Sequence, residues 1–414
     1  MGDTGEPARR AAHDAARRSY GKLVAFLAAR TRDVAGAEDA LAEAFATALA
    51  KWPERGVPDN PEAWLLTVAR RKMIDAHRER RLDESAAEHL ALLAELAEKD
   101  PDDAQIPDDR LALMFACAHP AIDRGIHAPL MLQAVLGFDA AAIGSAFLAS
   151  PATMGQRLVR AKSRIRQSGI PFRVPGEADM RERLETVLDA IYAAYAEGWD
   201  DAAGTDARRR NLAEEAIWLG GLVASLLPQE PEALGLLALM LHAQARRAAR
   251  RDAAGAYVPL NEQDVSLWDA GLIQRAEALL ERAAAIGAPG RFQLEAAVQS
   301  AHVIRRRSGR ADWAAIEQLY AALHGLTASP VVAINRAIAL AETQGPQAGL
   351  AMLDSVAGDA RLADYQPYWA ARAGLLGRLG SVREADAAYE RAIGLERDAA
   401  VRQFLQGRRE ALTR

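Results

Sequence analysis

Residues 139–166 read DAAAIGSAFLASPATMGQRLVRAKSRIR. A helix that begins after Asp139 can run through Ile143 to Phe147, and Leu148-Ala149-Ser150 then makes a short turn. The Ser150 hydroxyl is a good helix cap, and the ring of Pro151 presets the backbone of a first helical residue. From there Met154, Leu158, Ala161 and Ile165 recur at i, i+4, i+7 and i+11, which is one helical face. Thr153, Gln156, Arg157, Arg160 and Arg164 fall on the other. From Pro151 to Arg166 there are five cationic side chains and no acid. A helix, a capped turn and a second helix bearing amide, hydroxyl and guanidinium groups can read base edges and hold phosphates. The plain alternative is a solvated basic helix, and the capped turn counts against it.

Helical periodicity extends outward from this stretch over nearly the whole chain, with no convincing alternating strand, so the fold class is all-α. At 414 residues, 50% hydrophobic, 26% charged and 6% aromatic, the chain should form two or three helical domains. The net charge of −5 and pI near 6.0 exclude a protein that coats nucleic acid with its entire surface, so any DNA contact is local. A single cysteine, Cys117, excludes an internal disulfide and multi-cysteine zinc sites, and reads as a small buried hydrophobe in a reducing compartment. His119 and His127 read as structural residues. There is no phosphate loop, HExxH or nucleophile elbow, so the expectation is a non-enzyme with no cofactor and no metal. The N-terminus lacks a basic-then-apolar signal, and the apolar stretch Leu234 to Leu241 runs into Arg246 and Arg247. A cytoplasmic protein without membrane insertion is expected.

Proline, glycine and acid clusters interrupt the helices at Trp52 to Pro61, Leu82 to Asp109 and Gly169 to Asp179. The middle interruption reads as a solvated linker with one helix around His89 to Leu96. Beyond residue 180, helices of ten to twenty residues follow one another with short breaks at Pro228, Pro231, Gly287 to Gly290, Gly325, Pro330, Gly345-Pro346 and Gly380, the spacing of an α-solenoid. Trp369, Leu376, Gly380, Ala385, Tyr389 and Ala392 keep tetratricopeptide intervals, although Arg372 replaces a leucine and no proline closes the unit. Val331 to Ala341 with Ala348 to Val356 match loosely. The aromatics of Ile191 to Trp199 and the stretch Leu260 to Trp268 could line a pocket or groove, with packing the default reading.

Near the amino end, Ala37 to Leu49 presents Leu41, Phe45, Ala48 and Leu49 to a core and leaves Glu38, Asp39 and Glu43 exposed, an acidic surface suited to a basic protein partner. After a proline-rich loop, Pro61 to Arg81 places Trp64, Leu65, Val68 and Ala69 on an apolar side, with Arg70, Arg71, Lys72, His77, Arg78, Arg80 and Arg81 following. Two separate basic helices suggest two DNA contacts.

In this order, these segments resemble bacterial RNA polymerase sigma factors of the extracytoplasmic-function family. The run Ala37-Glu38-Asp39-Ala40-Leu41-Ala42-Glu43-Ala44-Phe45, then Trp52, then Pro61 to Asp75 is similar to region 2. The resemblance implies that Asp39, Glu43 and Phe45 dock on the β′ clamp helices of core polymerase. It also implies that the loop Trp52 to Asn60, with Trp52, Arg55, Asp59 and Asn60, captures a base flipped from the −10 element of promoter DNA. Arg70, Arg71, His77 and Arg78 on the next helix would help to open and hold that element. The loop is unusually rich in proline, and Arg71 stands where many members have asparagine, which leaves the preferred −10 sequence open. Asp109 to Arg166 resembles region 4, which reads the −35 element; Ser150, Thr153, Gln156, Arg157, Arg160 and Arg164 carry over. Phe115 to Pro120 and Ala152 to Lys162 are similar to a subgroup with a tetratricopeptide-like extension, implied to receive a regulatory protein or ligand. The expected domains are residues 1–83, the region 2 bundle; 84–108, the linker; 109–175, the region 4 helix-turn-helix; and 176–414, the extension.

Two other readings differ in kind. A helix-turn-helix regulator with a repeat sensor explains residues 130–166 and 180–414 but not Ala37 to Arg81. A repeat scaffold with incidental basic helices predicts no salt-sensitive DNA binding.

Overall fold

The computed structural model describes residues 5–80, 107–147, 149–199 and 207–413. Among them the regular elements are nineteen α-helices and five 3-10 turns, with one isolated β-bridge between Arg251 and Tyr257. The expected helix at His89 to Leu96 and nearly all of the linker lie outside the described residues.

The chain divides into two compact units, and the division falls within one helix. The first unit holds α1 (Gly5–Thr31), α2 (Val34–Arg55), α3 (Pro61–Arg80), α4 (Arg110–Cys117), α5 (Arg124–Leu136), α6 (Ala140–Ala146), α7 (Pro151–Gln167) and α8 (Glu177–Trp199). It also takes α9 (Ala207–Leu226) as far as Ala216. This division is later than the expected boundary at 175/176. Its cause is α8, whose Leu184, Val187, Leu188, Ile191 and Tyr195 are buried and which packs on α4 and α5. Arg183 of α8 donates to the Phe115 carbonyl at 2.7 Å. The aromatics of α8 stack on one another, Tyr195 on Tyr192 at 6.4 Å and on Trp199 at 5.8 Å.

Within this unit α1 is the shared wall. It packs on α2 and α3 and also on α4 and α5. At Gly21 the approach is so close that a Cβ would stand 2.1 Å from the Val135 carbonyl oxygen, a distance only glycine permits. Leu23, Leu27, Leu41, Leu65 and Leu66 of α1 to α3 are fully buried, as are Leu113, Met114, Phe115, Leu130 and Leu132 of α4 and α5. Cys117 is buried, as its composition suggests, and burial pushes its thiol pKa up. His127 is buried with Nε2 3.0 Å from the Ile122 carbonyl, and His119 Nδ1 accepts from the Ala121 amide at 3.1 Å, so both have structural partners.

The second unit runs from the rest of α9 through α10 (Pro231–Ala245), α11 (Ala270–Ile286), α12 (Arg291–Val303), α13 (Arg305–Ser308) and α14 (Trp313–Thr327). It continues with α15 (Pro330–Thr343), α16 (Pro346–Val356), α17 (Gln366–Arg378), α18 (Val382–Leu395) and α19 (Ala399–Glu410). Each helix packs mainly on its near neighbours in sequence, notably α10 with α11 and α12, α15 with α16, and α17 with α18. Glycines allow close approach: a Cβ at Gly235 would stand 2.5 Å from the Gln293 amide nitrogen, and one at Gly349 2.6 Å from the Ala337 carbonyl oxygen. Glu232 of α10 accepts from the Phe292 and Gln293 amides at 2.9 and 3.0 Å, satisfying two of the free donors at the start of α12. Burial raises the pKa of this carboxyl, while the two amide bonds oppose the rise. Leu376, Ala385, Tyr389 and Ala392 are buried together with Trp369 packed against them, and Gly380 turns the chain with φ +75°. Trp268 is buried between the Arg246 and Arg305 guanidinium groups, 5.9 and 5.6 Å from its ring centroid, so this end of the Leu260 to Trp268 stretch is core.

Candidate nucleic-acid interface

Helix α7 is built as its residue types require. Asp139 caps α6 by accepting from the Ala142 amide at 2.6 Å. Ser150 caps α7 by accepting from the Thr153 amide at 3.1 Å, and its hydroxyl lies 2.8 Å from the Thr153 hydroxyl. Met154, Leu158, Ala161 and Ile165 are buried, which pins one face of α7. Thr153, Gln156, Arg160 and Arg164 are exposed. Ser150 and Thr153 therefore hold the start of the helix, while Gln156, Arg160 and Arg164 project from it. Arg157 is half-buried and donates from Nη2 to the Gly125 carbonyl at 3.2 Å, so its guanidinium is turned back to the start of α5.

The remaining cations of α7 point elsewhere. Lys162 forms an ion pair with Glu38 of α2, both side chains being nearly enclosed at 10% and 12% exposure. Arg166 lies 3.6 Å from Asp33, the cap of α2. Glu38 was expected on the exposed acidic side of α2, and the structure corrects this: its position lies on the edge of α2 that α7 covers. Burial pushes the Glu38 carboxyl pKa up despite Lys162. The expected core position Leu49 is corrected in the other direction, since it is 48% exposed. Leu41 and Ala48 are buried and Phe45 is half-buried. Asp39 and Glu43 are exposed as expected, and Lys72 of α3 stands 2.9 Å from Glu43.

The second candidate surface is more divided. Helix α2 continues through Pro53 to Arg55, leaving a shorter loop than expected, 56–60, which begins at Gly56 with φ +84°. Pro53 gives up the bond to the Leu49 carbonyl and its ring crowds that carbonyl, a disturbance confined to the last turn of the helix. Trp52 is 3% exposed and meets Trp64 edge-on at 5.5 Å, so in this conformation it packs instead of facing a base. Arg55, Asp59 and Asn60 are exposed, and Asn60 Oδ1 accepts from the Ala63 amide at 3.1 Å, capping α3. Arg70 is half-buried with its guanidinium 5.1 Å from the Phe26 ring centroid, whereas Arg71 is exposed. His77 and Arg78 lie on α3, and their side chains are outside the described ones. Sequence reasoning missed the roles of Lys162 and Arg166 because spacing shows which face is polar but not what covers it.

Among the described residues no group of three or more His, Cys, Asp or Glu side chains could hold a metal ion, and no helix is long and apolar enough to cross a membrane.

Residues 15–82 match sigma-70 region 2, and residues 183–284 match a family of unknown function, DUF6596. The uncharacterized protein R00370 of Rhizobium meliloti is 39% identical over 376 residues, covering 89% of this chain and 88% of that protein. A probable RNA polymerase sigma factor, RfaY, of Xanthomonas campestris pv. campestris is 28% identical over 217 residues, 49% of this chain and 51% of its own length. No solved structure matches. The amino end is thus similar to sigma-70 region 2, and the chain as a whole belongs to one family with the Rhizobium protein.

Proposed function

We propose that this chain is a sigma factor of the extracytoplasmic-function type, which binds core RNA polymerase and directs it to promoters with separate −10 and −35 elements. The observation that carries the reading is the pairing, in one compact unit, of a sigma-70 region 2 with a capped helix that projects Gln156, Arg160 and Arg164. Asp39 and Glu43 are exposed carboxylates beside Phe45, a surface for the β′ clamp helices. Loop 56–60 and Arg71 serve the −10 element, with Trp52 supporting the loop from inside. Helix α7 serves the −35 element as the second helix of region 4. The second unit is a tetratricopeptide-like regulatory or docking domain for a protein or small ligand.

Transcription in vitro from genomic fragments, with core polymerase as the sole other component, tests this. The expected result is initiation from a discrete promoter set. Failure to bind core or to select start sites overturns the reading. Substituting the half-buried Arg157 separates its roles: loss of promoter preference by about 1 to 3 kcal/mol marks base contact, and unchanged preference marks support of α5.

A further inference from the structure

Each buried residue of α7 has, two positions before it, a residue about 200° around the axis and so nearly opposite. That rule assigns Ala152, Gln156, Val159 and Ser163 to the stripe facing away from Met154, Leu158, Ala161 and Ile165. The stripe is uncharged. Arg160 and Arg164 flank it on one side, and Lys162 and Arg166 on the other. A helix entering a groove in this orientation brings the neutral side chains to the floor and Arg160 and Arg164 to one wall, where phosphates are, while Lys162 and Arg166 face Glu38 and Asp33 of α2.

Val159 is 63% exposed, more than any other large apolar side chain among the described residues. It contributes nothing to the core, and its branched side chain is a poorer helix former than alanine. A lone exposed valine is ordinary on a protein surface. Here it occupies the middle of the stripe, one turn after the exposed amide of Gln156 and beside the exposed row of Arg160 and Arg164. Every base pair that carries thymine presents a 5-methyl group in the major groove, and an aliphatic side chain is the complement to that methyl. We propose that Val159 is a specificity-determining residue that reads the 5-methyl of a thymine in the −35 element, with Gln156 reading a base pair beside it. This rests on the reading of α7 as the −35 helix.

The test is promoter-complex formation by the full chain with core polymerase, on duplexes in which each thymine of the −35 element is singly replaced by uracil. Uracil keeps all pairing groups and lacks only the methyl. The wild type should lose about fourfold at one position, the worth of one buried methyl. Val159→Ser should lose about the same on the unmodified promoter and become indifferent to uracil there, while Val159→Ile should retain the wild-type response. Circular dichroism checks that the exposed substitutions leave the helix content intact. If no uracil matters to the wild type, or if Val159→Ser keeps the same sensitivity, the assignment is overturned. If the wild type with core forms no promoter-specific complex at all, the sigma-factor reading fails first and takes this one with it.

Discussion

At the scale of single residues, the enclosed Lys162–Glu38 pair and the histidines His242 and His302 have measurable consequences. Lys162 and Glu38 neutralise each other where little water reaches. Removing one partner leaves an unpaired buried charge, so Lys162→Met should destabilise the first unit by about 3 kcal/mol. Adding Glu38→Leu should recover most of that loss, because an apolar pair of similar volume replaces an ion pair that must be desolvated. Chemical denaturation of both variants checks this, and equal losses in the two would mean that the pair carries little energy. In the second unit, His242 is fully enclosed, with Nε2 3.5 Å from Glu277 and Arg246 close by. Burial, assisted by Arg246, pushes its pKa down to about 4. As pH falls the unfolded chain takes up the proton first, so stability present at pH 7 declines from about pH 6.5 to about 4, by about 3 kcal/mol. His242→Gln should flatten the fall in melting temperature across that window. His302, also pushed down to about 4, should leave a residual slope.

At the scale of elements, α1 is the piece on which the first unit depends. Alanine at an exposed helical glycine stabilises by about 1 kcal/mol. At Gly21 the sign should reverse, since the added Cβ would meet the Val135 carbonyl oxygen of α5 at 2.1 Å. Thermal melting of Gly21→Ala should therefore show a loss of stability; a gain would mean that α1 and α5 do not pack this closely. Prolines made many helix starts legible in advance: Pro61, Pro151, Pro231, Pro330 and Pro346 each open a helix. Pro53 was the exception, read as a break and found inside α2, because Trp52 buries its ring against Trp64 and holds the last turn in place. The placement of α8 was not legible either. Its apolar face is visible in the sequence, but the partner that buries it, α4 with α5, lies tens of residues upstream.

At the scale of the whole molecule, the first unit packs α2 against α7, and Arg30 at the end of α1 stands 3.5 Å from Asp109 at the start of α4. Elements at −10 and −35 are about 25 base pairs apart, roughly 85 Å at 3.4 Å per pair. On the proposed function, a compact body of about 200 residues is shorter than that, so binding both elements would call for α7 to part from α2. At most about 3.6 Å per residue, the 26 residues between Arg80 and Pro107 can span about 90 Å, which is enough. Parting also frees Lys162 and Arg166 for phosphate. Cysteines at Arg30 and Asp109, joined by a short reductant-cleavable bismaleimide, should abolish initiation until the link is cut. The buried Cys117 should not compete for the reagent. Full activity of the linked protein would show that the regions need not part.

Local chemistry was enough for the all-α class, the start of α6 after Asp139, the Ser150 cap and span of α7, the burial of Cys117 and the resemblance of the amino end to region 2. All of these depend on chemistry within a few residues of chain. Long-range packing set half-buried Glu38 against Lys162, left Leu49 exposed, turned Trp52 and Arg70 inward and joined α8 to the first unit. Periodicity tells which face of a helix avoids water, but which neighbour covers that face depends on segments far apart in the chain.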